Sequence, residues 1–274
     1  MITCNLMGGL GNQLFQIFTT ISYAISCKQQ FKFLYRDFNG NRKTYWNTFL
    51  INLKIFTELQ FPKMKTVKEN GFNFENIPKN NETENTLLYG YFQSYKYFEE
   101  NFKSICKLIQ LENQKNNIKN TYIYDYNNSV SIHFRLGDYK KLIDYHPVLN
   151  YDYYKNSIQY IISTKEKNKF DVLYFCEKED NEIVVEIIQN LKTYYSECNF
   201  IKVDDKIEDW IQMLIMSLCK YNIIANSTFS WWAAYFNSNM DKIICYPEMW
   251  FGPKLSKNNT NDLFPDNWIK ISVK

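Results

Sequence analysis

The chain is poor in the features that announce the commonest sites. Its seven cysteines form no C-x-x-C pair, which removes the usual zinc spacings. There is no Asp-x-Asp anywhere, so a metal-bridged diphosphate has no obvious ligands. No run approaches the roughly 20 apolar residues of a membrane span, and Met1–Leu6 is too short and lacks the basic start of a signal peptide. The charge balance is nearly even, at +3. That is too weak to argue for nucleic acid, and the charges are mixed rather than gathered in a stripe. No internal repeat is present. These absences leave a globular chain without a nucleic-acid partner, an integral membrane segment or a bound metal. The cysteines are odd in number and sit mostly in apolar surroundings, which reads as free thiols in a reducing compartment. The expected location is therefore cytoplasmic, with room for peripheral contact with a membrane. N-glycosylation sequons such as Asn81-Glu-Thr83 and Asn226-Ser-Thr228 are chance features of an Asn-rich chain.

What is present is core. At 274 residues with 45% hydrophobic and 18% aromatic content, the chain has ample material for one large domain or two small ones. Ile2–Met7 reads as a strand, Gly8-Gly-Leu-Gly-Asn12 as a glycine-rich turn with Asn12 as helix cap, and Gln13–Cys27 as a helix. A second strand is expected at Phe31–Tyr35, a short helix at Thr44–Phe49 and a strand at Leu87–Phe92. Tyr91, Tyr95, Tyr97 and Phe98 are an aromatic cluster of the kind that forms either core or a sugar platform. Leu111–Asn128 is polar, with strand character only at Thr121–Tyr126, and is the expected boundary between domains 1–122 and 123–274. Beyond it, strands at 130–134, 170–176, 200–203, 222–225 and 242–246 alternate with helices at 151–165, 180–192, 207–220 and 230–236. That alternation predicts a parallel doubly wound sheet.

Two stretches carry chemistry. Val130–Phe134 is an apolar strand that runs into Arg135, Gly137 and Asp138, with His133 at its end. The carboxyl end of a parallel strand faces the crevice where α/β sheets bind ligands, and the planar fork of Arg135 suits a phosphate. Tyr221–Ala225 runs into Asn226, Ser227 and Thr228, followed by a helix containing Phe229 and Ser230. Hydroxyls and free backbone N–H groups at a helix start make an anion site. One sheet would thus aim a guanidinium and a helix start at one crevice, as a diphosphate requires.

Gly8-Gly-Leu-Gly-Asn-Gln13, Gly90-Tyr-Phe-Gln-Ser94, His133-Phe-Arg-Leu-Gly-Asp-Tyr139 and Ile224-Ala-Asn-Ser-Thr-Phe-Ser-Trp-Trp-Ala-Ala-Tyr235 occur in this order. Together they resemble the bacterial-type α-1,2-fucosyltransferases of glycosyltransferase family 11. The resemblance runs from Met1 to about Trp250. It implies a GT-B-like α/β fold of two facing Rossmann-like domains with a cleft between them. It also implies a metal-independent, inverting transfer of L-fucose from GDP-fucose to a hydroxyl of an acceptor oligosaccharide, with no cofactor beyond the nucleotide-sugar donor. On the matching positions, Arg135 would bind the diphosphate and His133 the nucleoside. Ser227, Thr228 and Phe229 would hold the phosphates, and Gly9, Asn12 and Gln13 would close over the donor.

Two positions depart from the family pattern. Leu136 stands where a second arginine is usual, and Gln212 where an acid is usual. Asp209, about one helical turn before Gln212, is an alternative reader of guanine. A UDP- or dTDP-linked deoxysugar donor, or a binding protein without turnover, are the competing readings. The transfer also needs a base near the acceptor hydroxyl, for which Asp138 and His133 are candidates. His146 and Tyr91 are candidates to touch the acceptor.

Overall fold

A computed structural model of the chain describes residues 1–79 and 84–273. The Asn81-Glu-Thr83 sequon and Lys274 lie outside the described residues. The chain divides into two compact units, Met1–Gln114 with Asn258–Pro265, and Lys115–Lys257 with Asp266–Lys274.

In the first unit, β1 (Ile2–Cys4) leads through the glycine turn into α1 (Leu10–Ser26). The helix is capped at Gly9, in extended backbone, and Asn12 lies inside its first turn rather than at the expected cap. The helix begins early because Gly8, at φ +75°, turns the chain sharply, and a Cβ there would fall 2.4 Å from Asn12 Nδ2. The strands β2 (Phe33–Leu34), β3 (Phe38–Asn39), β4 (Arg42–Lys43) and β5 (Thr57–Glu58) are two residues each. The expected helix at Thr44–Phe49 is instead a run of turns leading into a 3-10 helix over Ile51–Phe56. β6 (Lys65–Lys68) and β7 (Thr86–Tyr89) complete a parallel three-stranded sheet in the order β1-β7-β6. α2 (Phe102–Leu108) follows.

The expected polar boundary segment holds α3 (Leu111–Thr121), and no strand forms at Thr121–Tyr126. The division into units falls within this helix, between Gln114 and Lys115, rather than at 122/123. Lys115 is buried and donates to Phe236 O at 3.0 Å and Ser238 Oγ at 3.1 Å, which ties the rest of the helix to the second unit. The segment Asn258–Pro265 returns to the first unit. Its anchor is Asp262, which pairs with Lys96 at 2.5 Å, accepts from Ser94 Oγ through its carbonyl at 2.5 Å, and accepts from Phe74 N at 3.2 Å.

The second unit carries β8 (Ser129–His133), α4 (Tyr151–Lys165), β9 (Asp171–Phe175), α5 (Asn181–Tyr194), β10 (Asn199–Lys202), α6 (Asp209–Leu218), β11 (Tyr221–Ile223), α7 (Thr228–Tyr235), β12 (Ile244–Pro247) and β13 (Ile269–Ile271). All five expected strands and four expected helices form, within a few residues of their expected bounds. β13 is added at the edge. The six strands are all parallel, in the order β10-β9-β8-β11-β12-β13. Numbered within the unit, that is 3-2-1-4-5-6, the order of dinucleotide-binding folds, and it reverses direction between β8 and β11. β8 is buried along its whole length, as expected of a central strand covered on both faces. Val130, Ile132, Val172, Tyr154, Ile158, Val184 and Ile188 are part of one apolar core.

Local signals place the helices. Asn150 caps α4 by accepting from Tyr153 N at 3.2 Å, and the helix stops at Glu166 in the left-handed region, φ 49°. All seven cysteines are free. Among the described residues, no helix is long and apolar enough to cross a membrane.

Candidate active site

The switch point between β8 and β11 gathers the two chemistry-bearing stretches. β8 ends at His133 and releases the chain into a 3-10 turn over Gly137–Lys141. β11 ends at Ile223 and reaches Ser227, which caps α7 by accepting from Phe229 N at 3.4 Å. The two loops are joined in two places. The Tyr139 hydroxyl donates to Asn226 O at 3.1 Å, and the His133 and Phe229 rings lie 5.4 Å apart.

Arg135 is the charged centre of this arrangement. Its guanidinium lies 4.8 Å from the centroid of the Tyr139 ring. Nη2 donates to Asp138 Oδ1 at 2.5 Å, and Nη1 donates to Glu177 Oε1. Burial acts to lower the guanidinium's pKa, but Glu177, Tyr139 and Asp138 outweigh it and the net shift is upward. The charge is permanent in any case. Glu177 was not anticipated from sequence. It lies two residues past the end of β9, 42 positions from its partner, and no local pattern marks it. Gly137 makes the contact possible. It sits at φ +34°, and a Cβ there would fall 2.6 Å from Glu177 Oε2 and 3.2 Å from Arg135 Nη1. The turn is pinned from below by Asp180, fully buried, which accepts from Gly137 N and from Lys140 Nζ, each at 2.7 Å.

His133 is buried, and its pKa is pushed down to about 3 by burial first, then by Arg135 and Lys202. The ring is therefore neutral at physiological pH, and a group so hard to protonate is a weak general base. Its Nδ1 is buried without a hydrogen-bond partner, as is Asn226 Oδ1. Buried polar atoms of this kind are normally satisfied; one lies at the last residue of β8 and the other in the loop after β11.

The remaining expected residues divide clearly. Asn226 uses its Nδ2 on Pro147 O at 2.9 Å and Trp250 O at 3.3 Å, so that amide group braces loops. Ser230 is buried and turned back onto Ala225 O and Ser227 O at 3.4 and 3.3 Å, away from an anion at the helix start. Thr228 opens α7. His146 stacks on Tyr139 at 4.6 Å and 17°, with Phe251 at 6.0 Å on its other contact. Burial lowers its pKa, with Asp138 raising it and Arg135 lowering it further. Asp209 begins α6, and its Oδ1 accepts from Trp210 N at 2.8 Å. Gln212 donates from Nε2 to Ile207 O at 2.8 Å.

In the first unit, Gln13 is buried and donates to Gly8 O at 3.0 Å and Lys43 O at 2.9 Å, holding the glycine turn. Asn12 Oδ1 accepts from Gln93 Nε2 at 3.0 Å. A Cβ on Gly9 would meet nothing within 4 Å. Tyr91 is exposed, and its N–H donates to Glu69 Oε2 at 2.7 Å.

The pattern of glycosyl transferase family 11 matches residues 1–272. The chain belongs to that family. It is 27% identical to an α-1,2-colitosyltransferase of Escherichia coli over 99% of both chains. It is 33% identical over 67% of its length to the O-antigen biosynthesis glycosyltransferase WbnK of Escherichia coli, and that match spans 60% of the relative. An Arabidopsis thaliana FUT1 variant in complex with GDP is a distant structural neighbour. It is 10% identical at a TM-score of 0.48, covering 96% of this chain and 74% of that one, a likeness too slight to carry argument.

Proposed function

We propose that this family 11 member transfers L-fucose from GDP-fucose to a hydroxyl of an acceptor glycan, with inversion. The observation that carries the reading is the pairing, at one switch point, of the Arg135 fork with the Ser227-capped start of α7. A departing diphosphate needs donors aimed at the charge that develops on it, and on this reading Arg135, once a carboxylate leaves its fork, and the N–H groups at the start of α7 supply them. The unpartnered His133 Nδ1 and Asn226 Oδ1 are consistent with a polar ligand seated over the same loops. Asp138 is the remaining candidate for the acceptor proton, and it is ion-paired with Arg135. No cofactor is invoked.

A second reading concerns the sugar and base. The relative matched over its whole length transfers, by its name, a colitosyl group. Together with Leu136 and Gln212, that favours weighing another nucleotide-linked deoxysugar on the same fold. A thermal-shift panel of GDP-, UDP- and dTDP-sugars separates the two, because a ligand of the native state raises its stability by RT ln(1 + [L]/Kd). Transfer to a glycan panel with the binding donor then tests turnover. Binding without turnover on any acceptor would leave a binding protein and sink the transferase reading.

A further inference from the structure

Arg135 is not waiting with open donors. One arm of its fork goes to Asp138, three residues on in the same turn, and the other to Glu177, from the neighbouring strand end. The two partners of the Glu177 pair are unequal. The Arg135 side chain is 17% exposed and fixed over the Tyr139 ring, whereas that of Glu177 is 51% exposed. A largely buried guanidinium without a counter-charge is costly, so some anion must face it at all times. A half-exposed carboxylate loses little when it swings out into water.

We infer that Glu177 is an internal stand-in for a donor phosphate: it pairs with the Nη1 arm of Arg135 and is displaced into solvent when the diphosphate binds there. The inference rests on the reading of Arg135 as the diphosphate ligand. The exchange replaces one charge-assisted pair by another at the same donor, so Arg135 is never left uncompensated. It also explains the glycine at 137. Any side chain there would fall where Glu177 Oε2 now lies and would crowd Arg135 as well. A phosphate carries more charge than a carboxylate and wins the exchange, but only after overcoming the bound one. Glu177 therefore lowers donor affinity.

The test is titration of inorganic pyrophosphate into wild type, Glu177→Gln, Glu177→Asp and Arg135→Ala, with the fold of each checked by its thermal transition. Glu177→Gln removes the competing charge. Glu177→Asp keeps the charge and shortens its reach by one methylene. Both are expected to bind pyrophosphate about tenfold more tightly than wild type, and Arg135→Ala is expected to bind none. If Arg135→Ala loses binding but Glu177→Gln binds as wild type or more weakly, the stand-in is overturned and the diphosphate reading survives. Tightening in Glu177→Gln without tightening in Glu177→Asp also overturns it, because the effect is then a long-range field rather than an occupied seat. If Arg135→Ala binds as wild type, or if no variant binds, the diphosphate reading itself fails.

Discussion

The Tyr139 hydroxyl donates to the Asn226 carbonyl at 3.1 Å, bridging the loop that leaves β8 and the loop that leaves β11. The same ring lies under Arg135 and against His146. One side chain thus sets both the separation of the two loops and the height of the guanidinium. Tyr139→Phe keeps the ring and loses one hydrogen bond, so transfer should fall by no more than about tenfold. Tyr139→Ala removes the platform as well and should cost roughly 10² or more in kcat/KM. Steady-state kinetics of the two variants checks this, and equal losses would show that the ring does not matter.

Arg135→Ala should abolish transfer while the protein stays folded. The loss is stabilisation of the leaving diphosphate, a fall of roughly 10² or more in rate. Arg135→Lys should rescue poorly, because an ammonium cannot serve two separate directions with a rigid fork. Near-normal turnover in the alanine variant would make this arginine structural.

The strand–helix alternation of the second unit was legible because short apolar strand runs alternate with longer segments that are either striped, as in α5, or largely apolar, as in α7. The order of strands was not, since pairing partners such as β8 and β11 lie far apart in sequence. α3 was hidden because its buried positions are Leu111, Lys115 and Ile118. That spacing is helical, but a lysine stands in the middle of it. The role of Asp262 was invisible for the same reason as that of Glu177, since its partners lie 166 to 188 positions away. Motif residues were found readily, yet their direction was not. Ser230 sits in the motif and faces inward, and the Asn226 Nδ2 is spent on loop carbonyls.

Acid should destabilise the fold through His133. Its pKa is about 3 in the folded chain against 6.5 ordinarily, so between these values the unfolded state binds a proton that the folded state does not. Stability therefore rises with pH across that window and is lost as pH falls from about 6.5. This one ring should contribute a slope of about 1.4 kcal/mol per pH unit. Denaturant melts from pH 7 to 4 should show a shallower decline for His133→Gln than for wild type. Parallel curves would mean that the ring titrates normally when folded.

Transfer should survive EDTA. On the proposed reading, Arg135 supplies positive charge and the start of α7 supplies N–H donors to the diphosphate, so the protein itself would stabilise the leaving group. The assay is turnover after exhaustive chelation. Complete loss, restored by added Mn²⁺ or Mg²⁺, would contradict this.

The last prediction concerns the base. Guanine presents N1–H and 2-amino donors, and a carboxylate is the fitting partner, whereas a glutamine meets one of those donors with a donor of its own. Gln212 stands at the position where the family usually has an acid, which by itself favours uracil or thymine. Its amide, however, donates to Ile207 O at 2.8 Å and holds the turn before α6. A side chain used in that way is a brace more than a reader. Asp209 opens the same helix, and although its Oδ1 accepts from Trp210 N at 2.8 Å, it is a carboxylate, the kind of group a guanine would call for. The expected result is tighter binding of GDP than of UDP to wild type. Gln212→Ala should loosen the turn and weaken both nucleotides alike, leaving their ratio within about twofold. Asp209→Asn should weaken GDP alone, by about tenfold or more, the cost of a buried donor left unsatisfied. Calorimetric titration of GDP and UDP into the three proteins measures all of this. Tighter UDP than GDP binding in wild type would overturn the guanine assignment. A ratio that collapses in Gln212→Ala while Asp209→Asn binds normally would return the reading role to Gln212.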